Sequence, residues 1–122
     1  MAGSPIKSFE DLTVWQETQD LAVSVYAISR SFPKDELFAL TSQLRRAASS
    51  VSANIAEGFG RATKNDKLHF YTIAYGSLLE TKNFLYLASR LSYVTESDLH
   101  NLIDHATRCQ KLINAFKAGL QK

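Results

Sequence analysis

Few side chains in this 122-residue chain have the chemistry for catalysis or metal binding: one cysteine, three histidines and a cluster of serines. A lone Cys109 excludes an intramolecular disulfide and any cysteine-based zinc site. It falls at an apolar position of a helical pattern, so it reads as a small buried hydrophobe rather than a nucleophile. Carboxylate-bridged metal sites in helical bundles need Glu-x-x-His on facing helices, and the expectation is that neither Glu nor Asp precedes a histidine at that spacing. His69, His100 and His105 fall on polar faces and read as solvated or capping residues. Ser49, Ser50 and Ser52 have no histidine or lysine beside them to activate a hydroxyl. Gly58-Phe59-Gly60-Arg61 follows a helix and lacks the lysine spacing of a phosphate loop. The expectation is a protein with no catalytic residue, no metal and no cofactor.

Charge offers a second kind of chemistry. The net charge is only +2. Residues 1–40 carry three basic and six acidic side chains, whereas residues 41–67 carry five basic and two acidic ones. The positive charge concentrates on Arg45, Arg46, Arg61, Lys64 and Lys67, a hint toward polyanions. Arg61, Lys64 and Lys67 form the densest group. Arg45 and Arg46 stand about 100° apart on a helix and cannot share one face.

These residues sit on or beside the stretch Gln43–Arg61, which sorts into three stripes at helical spacing. Leu44, Ala47, Ala48, Val51, Ile55 and Phe59 form an apolar arc. Gln43, Arg46, Ser50, Asn54, Glu57 and Arg61 form a polar seam. Ser42, Ser49, Ala53, Ala56 and Gly60 form a stripe small enough for another backbone to approach. Two readings of Gln43, Arg46, Asn54 and Glu57 follow. The favoured one is a buried polar network that closes the bundle. The other is a ligand carboxylate or phosphate site with Arg46 and Arg61 as donors.

The rest of the chain supplies the elements around this helix. Residues 1–8 read as a frayed arm. Apolar spacing gives a first helix over 14–31, opened by Thr13 and Gln16 or by Asp11 and ended by Pro33. Phe38 and Leu40 are expected to fold back onto the core, with Thr41 or Asp35 capping a second helix over 41–60. Glycine at 58–60 gives that helix a left-handed exit. Thr63 with Asp66 opens a third helix over 64–92, and Thr95 with Asp98 a fourth over 96–118. The third has an apolar arc wider than a bundle helix needs, so something outside the bundle must cover the excess. Short connections and the absence of strand-like runs give one all-α domain, an antiparallel up-down-up-down four-helix bundle. With no long apolar run and no signal-like N-terminus, a cytoplasmic soluble protein that leaves membranes alone is expected.

Five stretches carry a resemblance: F-x-D-L-x-V-W-Q at Phe9–Gln16, F-P at Phe32, L-T-S-Q-L-R-R-A-A at Leu40–Ala48, N-I-A-E-G-F-G-R at Asn54–Arg61 and A-Y-G-S-L-L-E at Ala74–Glu80. Together they resemble the four-helix-bundle family encoded by intervening sequences of bacterial 23S ribosomal RNA genes, to which the accessory variability proteins of diversity-generating retroelements are structurally related. The resemblance implies a ring-shaped homopentamer, no enzymatic activity, and RNA or DNA binding as in some members. A reverse transcriptase or another protein is the alternative partner. The retroelement proteins are strongly basic, and this chain is not.

Overall fold

Two prolines and five glycines leave the chain few places to turn, and it turns only between long helices. A computed structural model describes residues 5–121. It contains α1 (Thr13–Ser29), α2 (Ser42–Phe59), α3 (Lys64–Arg90) and α4 (Glu96–Gln121), and no strand among the described residues. α2 packs on α1 and most extensively on α3, while α4 packs on α3 and closes the ring against α1. That neighbour order is the antiparallel four-helix bundle that the spacing predicts. Leu21, Val25, Leu44, Val51, Ile55, Leu78, Leu85 and Ile113 are wholly buried at its centre. Two threonines share this core because each hydroxyl is satisfied within its own helix. Thr18 Oγ1 donates to Val14 O and Thr81 Oγ1 to Ser77 O, both at 2.8 Å.

The helix ends depart from expectation in instructive ways. The predicted arm falls partly on residues 1–4, outside the described residues; the remainder is tied down. Asp11 Oδ2 accepts the backbone N–H groups of Lys7 and Ser8 at 2.9 and 3.3 Å, holding a short 3-10 turn, Phe9–Asp11, against α1. Asp11 therefore caps this turn rather than α1, whose N-cap is Leu12 with no side-chain bond. Gln16 reaches back to Glu10 O at 2.8 Å rather than to Thr13.

Between α1 and α2 the chain forms a 3-10 turn and then a π-type segment, Leu37–Thr41, broken by non-helical backbone at Ala39 (φ −124°, ψ −106°). That break splits the expected pair. Leu40 turns into the core, but Phe38 points away from it and is 94% exposed. Neither Thr41 nor Asp35 caps α2; the buried Thr41 Oγ1 has no hydrogen-bond partner.

The exit from α2 is right-handed, with Gly60 at φ −81°. Glycine is needed earlier, at Gly58, where a Cβ would lie 2.7 Å from Tyr71 Cε1 and 2.9 Å from Phe70 Cβ. Gly58 thus sets how closely α2 approaches α3. The left-handed position of the fold is instead Ser92 (φ 66°). Its N–H bonds Ser89 O, and the Tyr93 N–H bonds Ala88 O, both at 2.9 Å, the paired pattern of a Schellman stop. The caps predicted for α3 and α4 form as expected: Thr63 Oγ1 accepts from the Asp66 N–H and Thr95 Oγ1 from the Asp98 N–H, each at 3.1 Å.

Candidate assembly and nucleic-acid surfaces

The polar seam of α2 lies on the outside of the bundle, not within it. Gln43, Arg46 and Glu57 are exposed or half-exposed at the surface of the chain, and Asn54 is half-buried. No network joins them. Asn54 Nδ2 donates to Ser50 O and Ser50 Oγ, one turn back on its own helix, at 2.8 and 2.9 Å. Glu57 pairs with Arg61, not Arg46, at 2.9 Å. The buried-network reading is corrected for a geometric reason: the core-facing arc of α2 is filled by Leu44, Ala48, Val51 and Ile55, which rotates the seam to the rim of the α2–α3 contact. One link crosses that rim, Ser77 Oγ to Ser50 Oγ at 3.0 Å. Arg46 lines a small polar pocket there with Gln43, Ser50, Ser77, Glu80 and Phe84. Arg61 lies at the opposite end of α2, so the two arginines do not converge on one ligand.

Three of the five basic residues are occupied. Arg45 reaches back to the end of α1, where its Nε donates to Ser29 Oγ at 2.8 Å and its guanidinium lies 4.8 Å from the Tyr26 ring centre. Lys67 Nζ donates to Phe59 O at 2.6 Å, a cation placed on the unpaired carbonyls of the α2 C-terminus, where the helix dipole favours it. Arg61 pairs with Glu57 and stacks 4.6 Å from the Phe70 ring centre, but remains about half exposed. Arg46 and Lys64 stand at the surface and form no ion pair among the described residues.

The histidines are more engaged than their polar positions imply. His105 is half-buried and meets Glu17 Oε1 at 2.9 Å, linking α4 to α1. His100 pairs one turn along α4 with Asp104, at 3.2 Å and in solvent. Asp66 and His69 do stand three residues apart, which corrects the expectation that no acid of either kind precedes a histidine at that spacing. No group of three metal-ligating side chains occurs among the described residues. Cys109 is fully buried, and burial, with Glu17 nearby, pushes its thiol up to about 12. Ser49 Oγ donates to Arg46 O, and Ser52 is buried.

Two open apolar surfaces bear on assembly. The first is the outward face of α3, where Ile73, Leu79, Tyr86, Leu87 and Leu91 are each exposed while the inner face is buried. The second is a groove of about 610 Å³ between α1 and α2. Phe9, Trp15, Val23 and Tyr26 wall it, Arg30 stands at one end, and Ser49, Ala53 and Ala56 of the small-residue stripe form its floor. Sequence reasoning pointed to that stripe and to the broad arc of α3, but missed Phe38 and the part Tyr26 and Val23 play as groove walls.

A family model described as 23S rRNA-intervening sequence protein matches residues 10–115. The chain belongs to this family. The match takes in all of α1 to α3 and most of α4, and so covers every basic residue discussed above and, apart from Phe9, both apolar surfaces. No curated protein matches the chain. Among solved structures, the chain is similar to a protein of unknown function from the S23 ribosomal protein family of Bacteroides thetaiotaomicron VPI-5482. The two are 23% identical with a TM-score of 0.77, over 86% of this chain and 98% of that one. This likeness concerns the fold, and it agrees with the bundle built above. No helix of the described residues is long and apolar enough to cross a membrane.

Proposed function

We propose that the chain is a non-enzymatic building block of a homo-oligomeric scaffold that associates with nucleic acid. The observation that carries the assembly reading is the outward face of α3, where Ile73, Leu79, Tyr86, Leu87 and Leu91 stand exposed along the helix, interleaved with the exposed Thr72, Glu80, Asn83 and Arg90. Several large apolar side chains gathered on one helix face support an interaction site there.

The non-enzymatic reading is supported by how the reactive groups are used. The one thiol is buried and held protonated. Ser49 Oγ donates to Arg46 O, and Ser50 Oγ accepts from Asn54 Nδ2 and Ser77 Oγ. His105 is committed to an α1–α4 contact.

Nucleic-acid association is supported by Arg46, Arg61 and Lys64 at the surface and by the family's tie to ribosomal RNA genes. It is supported also by α4, which carries Arg108, Lys111 and Lys117 with no acidic residue after Asp104. A cyclic assembly repeats each patch once per subunit, so weak phosphate contacts become multivalent.

Two variants test the reading. Leu79→Glu with Leu87→Glu should lower the mass in solution while leaving helical content intact; an unchanged mass would remove the support taken from α3. Arg46→Gln with Arg61→Gln and Lys64→Gln should weaken RNA binding about equally across sequences. The salt slope should flatten by roughly one unit for each phosphate that is no longer neutralised. Lys67 and Arg45 are left in place because both hold the fold. An unaltered slope would place the phosphate-binding residues elsewhere, and no binding by the parent protein at low salt would leave a purely structural assembly.

A further inference from the structure

The most exposed large hydrophobic side chain of the described residues is Phe38. A single apolar residue in solvent is commonplace, but Phe38 is held there by the backbone break at Ala39. It is flanked by Leu37 and Ala39, both also exposed. The same break sends Leu40 into the core, so the segment is anchored rather than trailing. Glu36 fixes it further, accepting the Tyr93 hydroxyl at 2.8 Å. The result is an aromatic knob on a fixed base at the end of the bundle where α1 finishes and α2 begins.

The groove between α1 and α2 is the matching hole. It is walled by aromatic and aliphatic side chains, and its floor is small enough to admit a ring. Its upper end, at Tyr26 and Arg30, lies at the same end of the bundle as Phe38. Charge matches as well. Arg30 stands exposed at the rim of the hole, and Asp35 stands exposed beside the knob; neither makes an ion pair among the described residues.

We infer that Phe38 of one copy of this chain seats in the α1–α2 groove of a second copy, with Asp35 of the first against Arg30 of the second. This rests on the assembly reading above and sets the knob and groove beside the exposed face of α3 in one and the same contact between copies. Knob and hole are separate patches, and when each copy gives its knob to one neighbour and its groove to the other, the contact is head-to-tail and closes into a ring when the rotation allows.

The test exploits the head-to-tail geometry. Phe38→Asp destroys the knob but keeps the groove; Ala53→Glu fills the groove floor with charge but keeps the knob. Each variant alone should be monomeric by light scattering at micromolar concentration. Burying one aromatic side chain corresponds to a roughly 10- to 100-fold effect on each contact, and an introduced carboxylate adds to it. Mixed in equal amounts, the two should form a one-to-one heterodimer and nothing larger, since one intact knob meets one intact hole. Both residues are exposed, so the helical signal should survive; should either variant unfold, charge reversal replaces it. Arg30→Asp alone should weaken assembly, and adding Asp35→Arg in the same chain should restore it. If both single variants keep the parent's mass, or the mixture stays monomeric, the knob-and-groove contact is overturned while assembly through another face stands. If the parent itself is monomeric, the contact and the assembly reading fall together.

Discussion

The close approach of α2 and α3 at Gly58 makes a sharp prediction, because two effects of one substitution oppose each other. Gly58→Ala removes a glycine from the last turn of α2, which alone should stabilise by up to about 1 kcal/mol. The added methyl, however, would lie 2.7 Å from Tyr71 Cε1, 2.9 Å from Phe70 Cβ and 3.0 Å from Tyr71 Cδ1. Carbon atoms attract best at about 3.5–4.0 Å, so all three contacts are repulsive. Neither neighbour can yield cheaply. Phe70 Cβ moves only with the α3 backbone, and the buried Tyr71 ring is backed by Phe116 at a centroid distance of 4.9 Å. Overpacking of this kind costs about 1–3 kcal/mol, and forced movement of a helix belongs at the upper end. The net expectation is a destabilisation of about 1–2 kcal/mol, or a fall in Tm of roughly 3–10 °C. The control is Gly119→Ala in the last turn of α4, where a Cβ meets nothing within 4 Å. It should raise stability by up to about 1 kcal/mol. Thermal and urea unfolding followed by circular dichroism would give both signs. If Gly58→Ala is neutral or stabilising like the control, the account of the α2–α3 contact is wrong.

Further expectations follow from single residues. Ser92 holds a left-handed conformation at the end of α3, so Ser92→Gly should stabilise by about 1 kcal/mol, read from the same unfolding curves. The Cys109 thiol is raised in the fold by burial, so the native state keeps its proton where the unfolded state loses it. Stability should therefore fall as pH rises from about 9 toward about 12, and Cys109→Ala should flatten that decline; a native thiol that reacts freely at about pH 8 would contradict it. Glu57→Ala removes an exposed i,i+4 pair with Arg61 and should cost no more than about 0.5 kcal/mol. A loss several times larger would restore a buried role for the polar seam.

The helices and their order were legible because apolar spacing along each segment is a local property. So were the two Thr–Asp caps, which depend on residues three positions apart. The face that each helix turns inward was harder. α2 carries an apolar arc and a polar seam side by side, and only the packing of α3 decides that Arg46 and Glu57 point out. Lys67 read as a free charge because the carbonyls it meets, at Gly58 and Phe59, lie across a turn whose geometry composition does not encode. Phe38 was misplaced for a related reason. In Leu37-Phe38-Ala39-Leu40 every residue is apolar, so no period distinguishes the one that enters the core. The break at Ala39 makes that choice. Cys109 and the broad arc of α3 were read correctly because burial of one face and excess on another are both visible in the periodicity.

The measurement that tests the central claim most directly is the mass of the untagged protein in solution, by light scattering or sedimentation across micromolar concentrations. Self-assembly predicts an integral multiple of the 13.6 kDa chain, holding steady on dilution and abolished when Leu79 and Leu87 become glutamate. A single 13.6 kDa species at every concentration would contradict it.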